Sequence, residues 1–522
     1  MLLTHKKKKK PLTQKKAKEP TEIPQVTESA ELKGEDLVVE SVKRIIGAET
    51  VSPEDDIFEL GFKPGDVIQL IIALKTDGLT AADIYKARTV SEITKLLETQ
   101  KDHEPSAVEG EYMLTPYQIR YIKYMALAPG VTMGNMPLAL RVSKKIITAD
   151  QIADVAYEVF RSHPVVSTII HENEDGTIVQ TMDPSRIKRP EVRVVKQSDF
   201  ASCSAELDRP FEMYDQLLYR CVVFDVVNTI YFYLDFHHII SDSDSIQVLL
   251  QHMIRVLRHL EQPEDRYLEY LSRQNKRARE GYFDKARQYM LDTYRNGKYT
   301  CIVPFDTEER GFHTSILDYE TDFFLNRVKS RANGTHITIE TAIAATAIKA
   351  LHKFTGDDHI LINFLFSGRD SFEKVNMVGL MLSALPLAVD FDADTDAAKM
   401  YESIEAYAKA DLDYIEASPG TLVGGPFEKD VLTIHYTPYR AYGKEYDNIR
   451  KYVDVIDLIN RNEANTNPFY IIIRENSRKG ATIMFKYNDI VYKKESVEKY
   501  IEYFFEAAAE LSDGDPWIIR SF

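Results

Sequence analysis

The stretch Phe236-His237-His238-Ile239-Ile240-Ser241-Asp242-Ser243 decides the fold of this chain. Before it, apolar side chains alternate with period two over residues 230–236, as on a strand that buries one face. After it, apolar residues recur at helical spacing from Ile246 to Leu257, and Ser243 and Asp244 are candidate helix caps. The pattern predicts a strand, a short loop and a helix, with His238 at the rim of the junction.

The two adjacent histidines favour acid–base chemistry over metal binding. An imidazole exchanges its proton near neutral pH, so a histidine at an exposed rim can act on a substrate. His237 and His238 are neighbours on an extended segment, so we expect their side chains to leave it on opposite faces. The sequence contains no His-Glu-x-x-His motif and no cysteine cluster, and we predict no metal site.

The composition indicates more than one folded unit. A chain of 522 residues is too long for one hydrophobic core. The net charge is −16, although residues 1–18 carry eight lysines and no acidic residue. We predict that residues 1–34 are a disordered basic tail. The acidic remainder argues against nucleic acid as the main partner.

Cysteine usage and hydropathy predict a cytoplasmic protein. The three cysteines, Cys203, Cys221 and Cys301, have neither disulfide nor metal-ligand spacing, as expected in a reducing compartment. No apolar run approaches the length of a membrane span, and Met1-Leu2-Leu3 is too short for the apolar core of a signal peptide.

Residues 237–243 resemble the HHxxxDG signature of condensation domains in nonribosomal peptide synthetases, a branch of the coenzyme-A-dependent acyltransferase superfamily. Ser243 stands where the family has glycine. The resemblance implies that His238 is the catalytic histidine facing a channel and that His237 supports its loop. Asp242 is either a helix cap alone or, as the family implies, half of an ion pair that fixes this loop.

Three further motifs resemble the same family with substitutions. Residues 161–168 resemble the RHExLRT motif, with Ser162 and Ser167 in place of its arginines. Since those arginines are absent, Arg369, in a segment that resembles the family's Gly-Arg segment, is the candidate partner of Asp242. Residues 378–387 resemble the GxFVNTLPL motif, with Ser383 in place of asparagine. By the resemblance, Ser243 and Ser383 are candidate substrate-positioning residues.

The region before these motifs resembles an acyl or peptidyl carrier domain. Residues 55–61 (Asp-Asp-Ile-Phe-Glu-Leu-Gly) match the loop before the family's phosphopantetheine-bearing serine, but Pro64 occupies that serine's place. Neither serine nor threonine occurs between Pro53 and Lys75. Because proline is favoured in the first turn of a helix, we predict a carrier fold that lacks its attachment point.

The resemblance implies an α/β (α+β) protein with a two-lobed, chloramphenicol-acetyltransferase-like condensation fold and an N-terminal four-helix carrier-like domain. The predicted division is a basic tail (1–34), the carrier-like domain (35–100), a linker (101–111), an N-lobe (112–290) and a C-lobe (291–522).

The implied function is a condensation-type acyltransferase of nonribosomal peptide or related biosynthesis. It would join a carrier-bound thioester donor to an amine acceptor, both small molecules. No cofactor is expected to be bound covalently, so phosphopantetheine would arrive on carrier proteins or synthetase modules acting in trans. Two alternatives stay open: an O-acyltransferase using acyl-coenzyme A or carrier donors, and a catalytically silent docking module. The substitutions at Ser162, Ser167, Ser243 and Ser383 favour the second alternative.

Overall fold

The computed structural model describes most of the chain. The described residues are 33–62, 64–99, 110–127, 130, 132, 134–294, 299–309, 311, 313–321, 338–417, 430–437, 453–457, 467–475, 480–511 and 520–521. The predicted basic tail and linker therefore lie almost entirely outside the described residues.

The N-terminal region forms four helices around a core of its own. Its helices are α1 (Gly34–Ile46), α2 (Pro64–Leu74), α3 (Ala81–Ala87) and α4 (Val90–Thr99). Helix α1 begins at Gly34, which the sequence placed in the tail. Helix α3 is defined by a capping box between Thr80 and Asp83, which satisfies two backbone donors at its start. The shared core includes Val38, Val67 and Leu70. Residues 34–99 are called the four-helix unit below.

The first lobe is a five-stranded sheet with a smaller sheet and helices packed around it. Its elements are β1 (Tyr112–Met113), α5 (Pro116–Leu127), β2 (Asn135–Ser143), α6 (Ala149–Ser162), β3 (Thr168–Glu172), β4 (Ile178–Met182), β5 (Glu191–Val194), α7 (Phe200–Ala205), β6 (Tyr219–Val226), β7 (Thr229–His237), α8 (Ser243–Leu257) and α9 (Tyr267–Arg279). Strand β7 lies between β2 and β6, and it is buried on both faces because Phe232 and Leu234 pack in one hydrophobic cluster and Tyr231 and Tyr233 in another. This central position fixes the point at which β7 delivers the two histidines.

The second lobe is a mixed seven-stranded sheet covered by helices. Its elements are α10 (Tyr282–Tyr294), β8 (Thr314–Thr321), α11 (Ile339–Thr355), β9 (His359–Phe366), β10 (Ser383–Asp390), α12 (Ala397–Asp411), β11 (Thr433–Thr437), β12 (Val453–Asp457), β13 (Phe469–Glu475), β14 (Ala481–Asn488), α13 (Lys494–Leu511) and β15 (Arg520–Ser521). The strand order is β10-β9-β11-β13-β14-β8-β15, and β11 runs parallel to both β9 and β13. Residues of α11 and α13 fill the core on one face of this sheet.

Two observations correct the predicted division of the lobes at residue 290. That residue lies inside α10, where Met290 and Tyr294 pack against Leu361 and Ala388 of the second lobe. The first helix of the second lobe therefore follows Gly281. In addition, β12 leaves the second lobe and pairs antiparallel with β2 at the edge of the first lobe's sheet. Composition along the chain could not reveal this exchange, because strand pairing joins residues that are distant in sequence.

None of the helices in the described part of the chain combines the length and apolar character needed to cross a membrane.

Candidate functional site

His237 ends β7 and is completely buried. Its Nδ1 accepts a hydrogen bond from the Ile239 N–H at 3.1 Å, and its ring lies edge-on to Tyr121 and Phe211. Gly134 comes so close that an added Cβ would lie 2.7 Å from His237 Nε2, and its φ is +92°, which favours glycine. His237 thus supports the loop from inside the first lobe.

His238 opens a short 3₁₀ turn, His238–Ile240. The expectation that both histidines lie on extended backbone therefore holds for His237 alone. The His238 N–H donates to the Gly134 carbonyl at 2.6 Å. The imidazole stacks on Tyr121 with 5.1 Å between ring centroids and keeps part of its surface exposed. It is held in position without being sealed from solvent.

The surroundings of His238 favour the uncharged imidazole. Burial lowers the pKa of His238, and the charge of Asp242 with the backbone of His238 and Ser241 only partly opposes this shift. A histidine with a lowered pKa is mostly neutral at pH 7 and can accept a proton there.

Asp242 is the N-cap of α8 and also one half of a buried ion pair. Its Oδ1 accepts hydrogen bonds from the Ser245 N–H and hydroxyl, each at 2.8 Å. Its Oδ2 accepts from Arg369 at 2.9 Å and from the Met381 N–H at 3.0 Å. The two readings of Asp242 are therefore compatible, because its oxygens serve different partners. The cap is Asp242, whereas the sequence pattern suggested Ser243 or Asp244.

Arg369, the candidate partner from the sequence, lies in the second lobe and is only 2% exposed. Its guanidinium also donates to the Ser245 hydroxyl at 2.9 Å and to the carbonyl oxygens of Met377 and Gly379 at 3.1 and 3.3 Å. Burial alone would raise the pKa of Asp242, but Arg369 and the backbone donors lower it below its ordinary value. A charged pair thus joins the two lobes directly beneath the histidine loop.

The four serines that replace family residues occupy different places. Ser243 is the exposed first residue of α8. Ser383 begins β10 and lines a narrow cavity of about 20 Å³ together with Tyr117 and Leu380. Ser162 and Ser167 lie at and just beyond the end of α6, and their hydroxyls donate to the carbonyls of Val159 and Pro164. The structure therefore places two of the four serines near the site: Ser243 beside the histidine loop, and Ser383 near the boundary between the lobes.

Two residues near the site were missed by the sequence interpretation. Tyr121 on α5 stacks on His238. His435 lies on β11, where Ile434 and Tyr436 enter the core and His435 faces the other side of the sheet. Burial lowers the pKa of His435 to about 4, with Asp244 opposing the shift and Arg474 and His238 adding to it. His435 therefore lies within electrostatic range of His238. The alternation of apolar and polar side chains along residues 433–437 was the signal in the sequence that could have pointed to His435.

Pro64, the position that would carry phosphopantetheine in a carrier protein, is the first residue of α2. Among the described residues, there is no group of three or more His, Cys, Asp or Glu side chains arranged to hold a metal ion.

Comparison with known proteins gives the relationship of this chain. A family model for the condensation domain matches residues 108–514. Surfactin synthase subunit 1 of Bacillus subtilis (strain 168) is 20% identical over 489 residues, covering 89% of this chain and 13% of that protein. Tyrocidine synthase 3 of Brevibacillus parabrevis is 24% identical over 394 residues, covering 71% of this chain and 6% of that protein. The chain thus spans only a small part of the length of these relatives.

Two solved structures share the fold. The condensation domain of the Monacolin K polyketide synthase MokA has a TM-score of 0.65 at 15% identity, covering 79% of this chain and 99% of the other. The X-domain in its complex with OxyB from teicoplanin biosynthesis also has a TM-score of 0.65, at 14% identity, covering 79% and 96%. With the family model spanning more than half of the chain, this protein belongs to the condensation domain family.

Proposed function

We propose that this protein is a condensation-type acyltransferase that joins a carrier-bound thioester to an amine. The observation that carries the proposal is the position of His238. This residue is partly exposed, and burial favours its neutral form by lowering its pKa. It lies next to the buried Asp242–Arg369 ion pair, where the two lobes meet. The amine nitrogen attacks the thioester carbonyl carbon, giving a tetrahedral adduct. Collapse of the adduct forms the amide, breaks the carbon–sulfur bond and releases the thiol.

His238 accepts the proton that the attacking amine loses and donates it to the departing thiolate, which leaves as the thiol. A primary α-amine has a pKa near 8 and a thioester is already activated, so modest help suffices. General-base assistance of this kind is worth about 10²–10⁴ in rate. His237 holds the loop, and Asp242 with Arg369 keeps the start of α8 in register with the second lobe. By the family resemblance, Ser243 and Ser383 help to position the substrate.

Phosphopantetheine arrives on carrier proteins or synthetase modules acting in trans. The four-helix unit is a carrier-like domain without an attachment point, because Pro64 has no hydroxyl to be modified. Its kinship with carriers is supported by residues 55–61, which resemble the loop before a carrier's phosphopantetheine-bearing serine, and by its four helices.

A catalytically silent docking module is the second candidate. The cavity beside Ser383 measures about 20 Å³, which holds little more than one water molecule. A cavity of this size has no room for a substrate beside Ser383. The X-domain, which has a similar fold, was solved in complex with another protein, OxyB.

The two candidates are separated by a turnover experiment. The protein is incubated with loaded carrier proteins and amines, and the product is followed by mass spectrometry. The first proposal expects an amide with the wild type and none with His238→Ala. The control is His259→Asn on the exposed surface, where asparagine tolerates the positive φ of +55°. Equal turnover by wild type and His238→Ala would refute the role of His238, and ester formation from acyl-coenzyme A would indicate O-acyl transfer instead.

A further inference from the structure

The four-helix unit is fastened to the condensation domain by a small set of contacts. Asp77, just beyond α2, forms an ion pair with Arg266 at 2.5 Å. The Ala81 N–H donates to the Asp370 carbonyl at 2.7 Å, and Thr80 forms an antiparallel bridge with Ser371. Phe372 packs against the core of the four-helix unit. Charge, backbone and apolar contacts therefore meet at one edge of the unit.

The four-helix unit docks against residues 369–374 of the second lobe. The same segment contains Arg369, which belongs to the candidate site. Different parts of this segment serve different partners. Arg369 reaches Asp242, residues 370–372 contact the four-helix unit, and Glu373 pairs with Arg273 of α9 at 2.6 Å. Asp370, which bonds to the four-helix unit, directly follows Arg369 in the chain. A displacement of the unit would therefore shift the position of Arg369 through the shared backbone.

The contacts from Asp77, Thr80 and Ala81 all follow the C-terminal end of α2. Position 64 starts that helix, which has 11 residues and so extends about 16 Å. The place of the missing attachment point thus lies about a helix length from these three contacts.

The neighbouring helix α3 also approaches the second lobe. Burial, followed by the charges of Glu340, Asp66 and Glu405, raises the pKa of Tyr85 well above its ordinary value. Glu340 and Glu405 belong to α11 and α12, so α3 lies within electrostatic range of both helices.

We propose that the four-helix unit is a fixed support for the Arg369–Lys374 segment, docked through Asp77–Ala81, and that it positions Arg369 beneath the histidine loop. The unit acts as a permanent partner within this chain, while donor carriers come from elsewhere. The catalytic part of this proposal rests on the proposed function, and the structural part does not.

Hydrogen exchange in the full chain tests the docking. The Ala81 N–H is the first amide of α3 and has no acceptor within its own helix, so its protection depends on the Asp370 carbonyl. The Met381 N–H, bound to Asp242, reports on the ion pair. The Asp83 N–H, bound to Thr80 inside the unit, shows that the unit stays folded. Exchange at single amides is measured by mass spectrometry with electron-transfer fragmentation.

Charge reversal at Arg266 is the main perturbation. Arg266→Asp places two carboxylates together, and we expect exchange at Ala81 and Met381 to become about fivefold faster, the upper range for a partly exposed pair. Exchange at Asp83 should stay unchanged. Asp77→Arg combined with Arg266→Asp restores the pair and should restore protection. Phe372→Ala removes the apolar contact and should act like Arg266→Asp. The control is Lys276→Asp, an exposed charge reversal on the same helix α9.

Kinetics test the positioning role. We expect kcat to fall about fivefold in Arg266→Asp, to recover in the double variant, and KM for the amine to change little. Unchanged Ala81 exchange in both Arg266→Asp and Phe372→Ala would overturn the docking. Faster Ala81 exchange with unchanged Met381 exchange would overturn the positioning of Arg369. If the wild type shows no turnover, the proposed function fails while the exchange measurements still decide this proposal.

Discussion

Replacement of Asp242 by asparagine is the sharpest test of the ion pair between the lobes. Asp242→Asn preserves the side-chain shape and leaves Oδ1 able to accept the two bonds from Ser245. It removes the charge that faces Arg369, whose side chain is 1% exposed. The buried arginine would lose its carboxylate partner at 2.9 Å and keep only the more distant Asp244, at 4.0 Å.

The expected loss follows from the contacts that Arg369 retains. Removing one partner of a buried pair costs about 3–5 kcal/mol, because the other charge stays uncompensated. Here the carbonyls of Met377 and Gly379 and the Ser245 hydroxyl still accept from the guanidinium. We therefore expect the lower end, a decrease of about 3 kcal/mol in the free energy of unfolding.

The loss should depend on pH in a direction fixed by the carboxyl group. The pKa of Asp242 is lowered in the folded protein, so its contribution is present above the unfolded pKa of about 3.9 and is lost as pH falls toward the folded value. The difference between wild type and Asp242→Asn should be full at pH 7 and shrink below about pH 4.

Urea unfolding followed by circular dichroism measures this difference. Asp150→Asn is the control, because Asp150 is 76% exposed in its pair with Arg189 and should lose less than about 1 kcal/mol. In the double variant Asp242→Asn/Arg369→Met, the stranded charge is gone, so stability should partly return. A loss in Asp242→Asn no larger than in Asp150→Asn, or one that persists unchanged at pH 3, would refute the reasoning.

Three further predictions concern the histidine loop and the four-helix unit. In single-turnover assays, His238→Ala should reduce product formation by about 10²–10⁴. The amine itself has a pKa near 8, so wild-type rates are expressed per neutral amine; the acid limb of that pH–rate profile should lie below pH 6.5, because burial lowers the pKa of His238, and a limb above pH 7 would contradict this. Gly134→Ala should destabilise the protein by about 1–3 kcal/mol in urea unfolding, because the added Cβ would lie 2.7 Å from His237 Nε2; unchanged stability would show that His237 can move freely. Co-expression with a promiscuous phosphopantetheinyl transferase should leave the intact mass unchanged, since Pro64 has no hydroxyl; a gain equal to the arm, mapped to residues 35–100, would overturn this.

Local patterns in the sequence determined the elements around the site. The alternation over residues 230–236 and the helical spacing after Ile246 define β7 and α8, because each pattern reflects neighbours within one element. The resemblance to a family then singled out Asp242 and Arg369, 127 residues apart. The resemblance to a carrier domain also predicted four helices in the N-terminal region.

Only the tertiary structure decided how these elements meet. The pairing of β12 with β2 and the hydrogen bond from Ala81 to Asp370 join residues far apart in the chain. The stacking of Tyr121 on His238 likewise depends on how α5 packs against the loop. Such contacts leave no periodic signal, because the pairing partner of a strand or a helix end is set by the packing of the whole fold and not by the residues beside it.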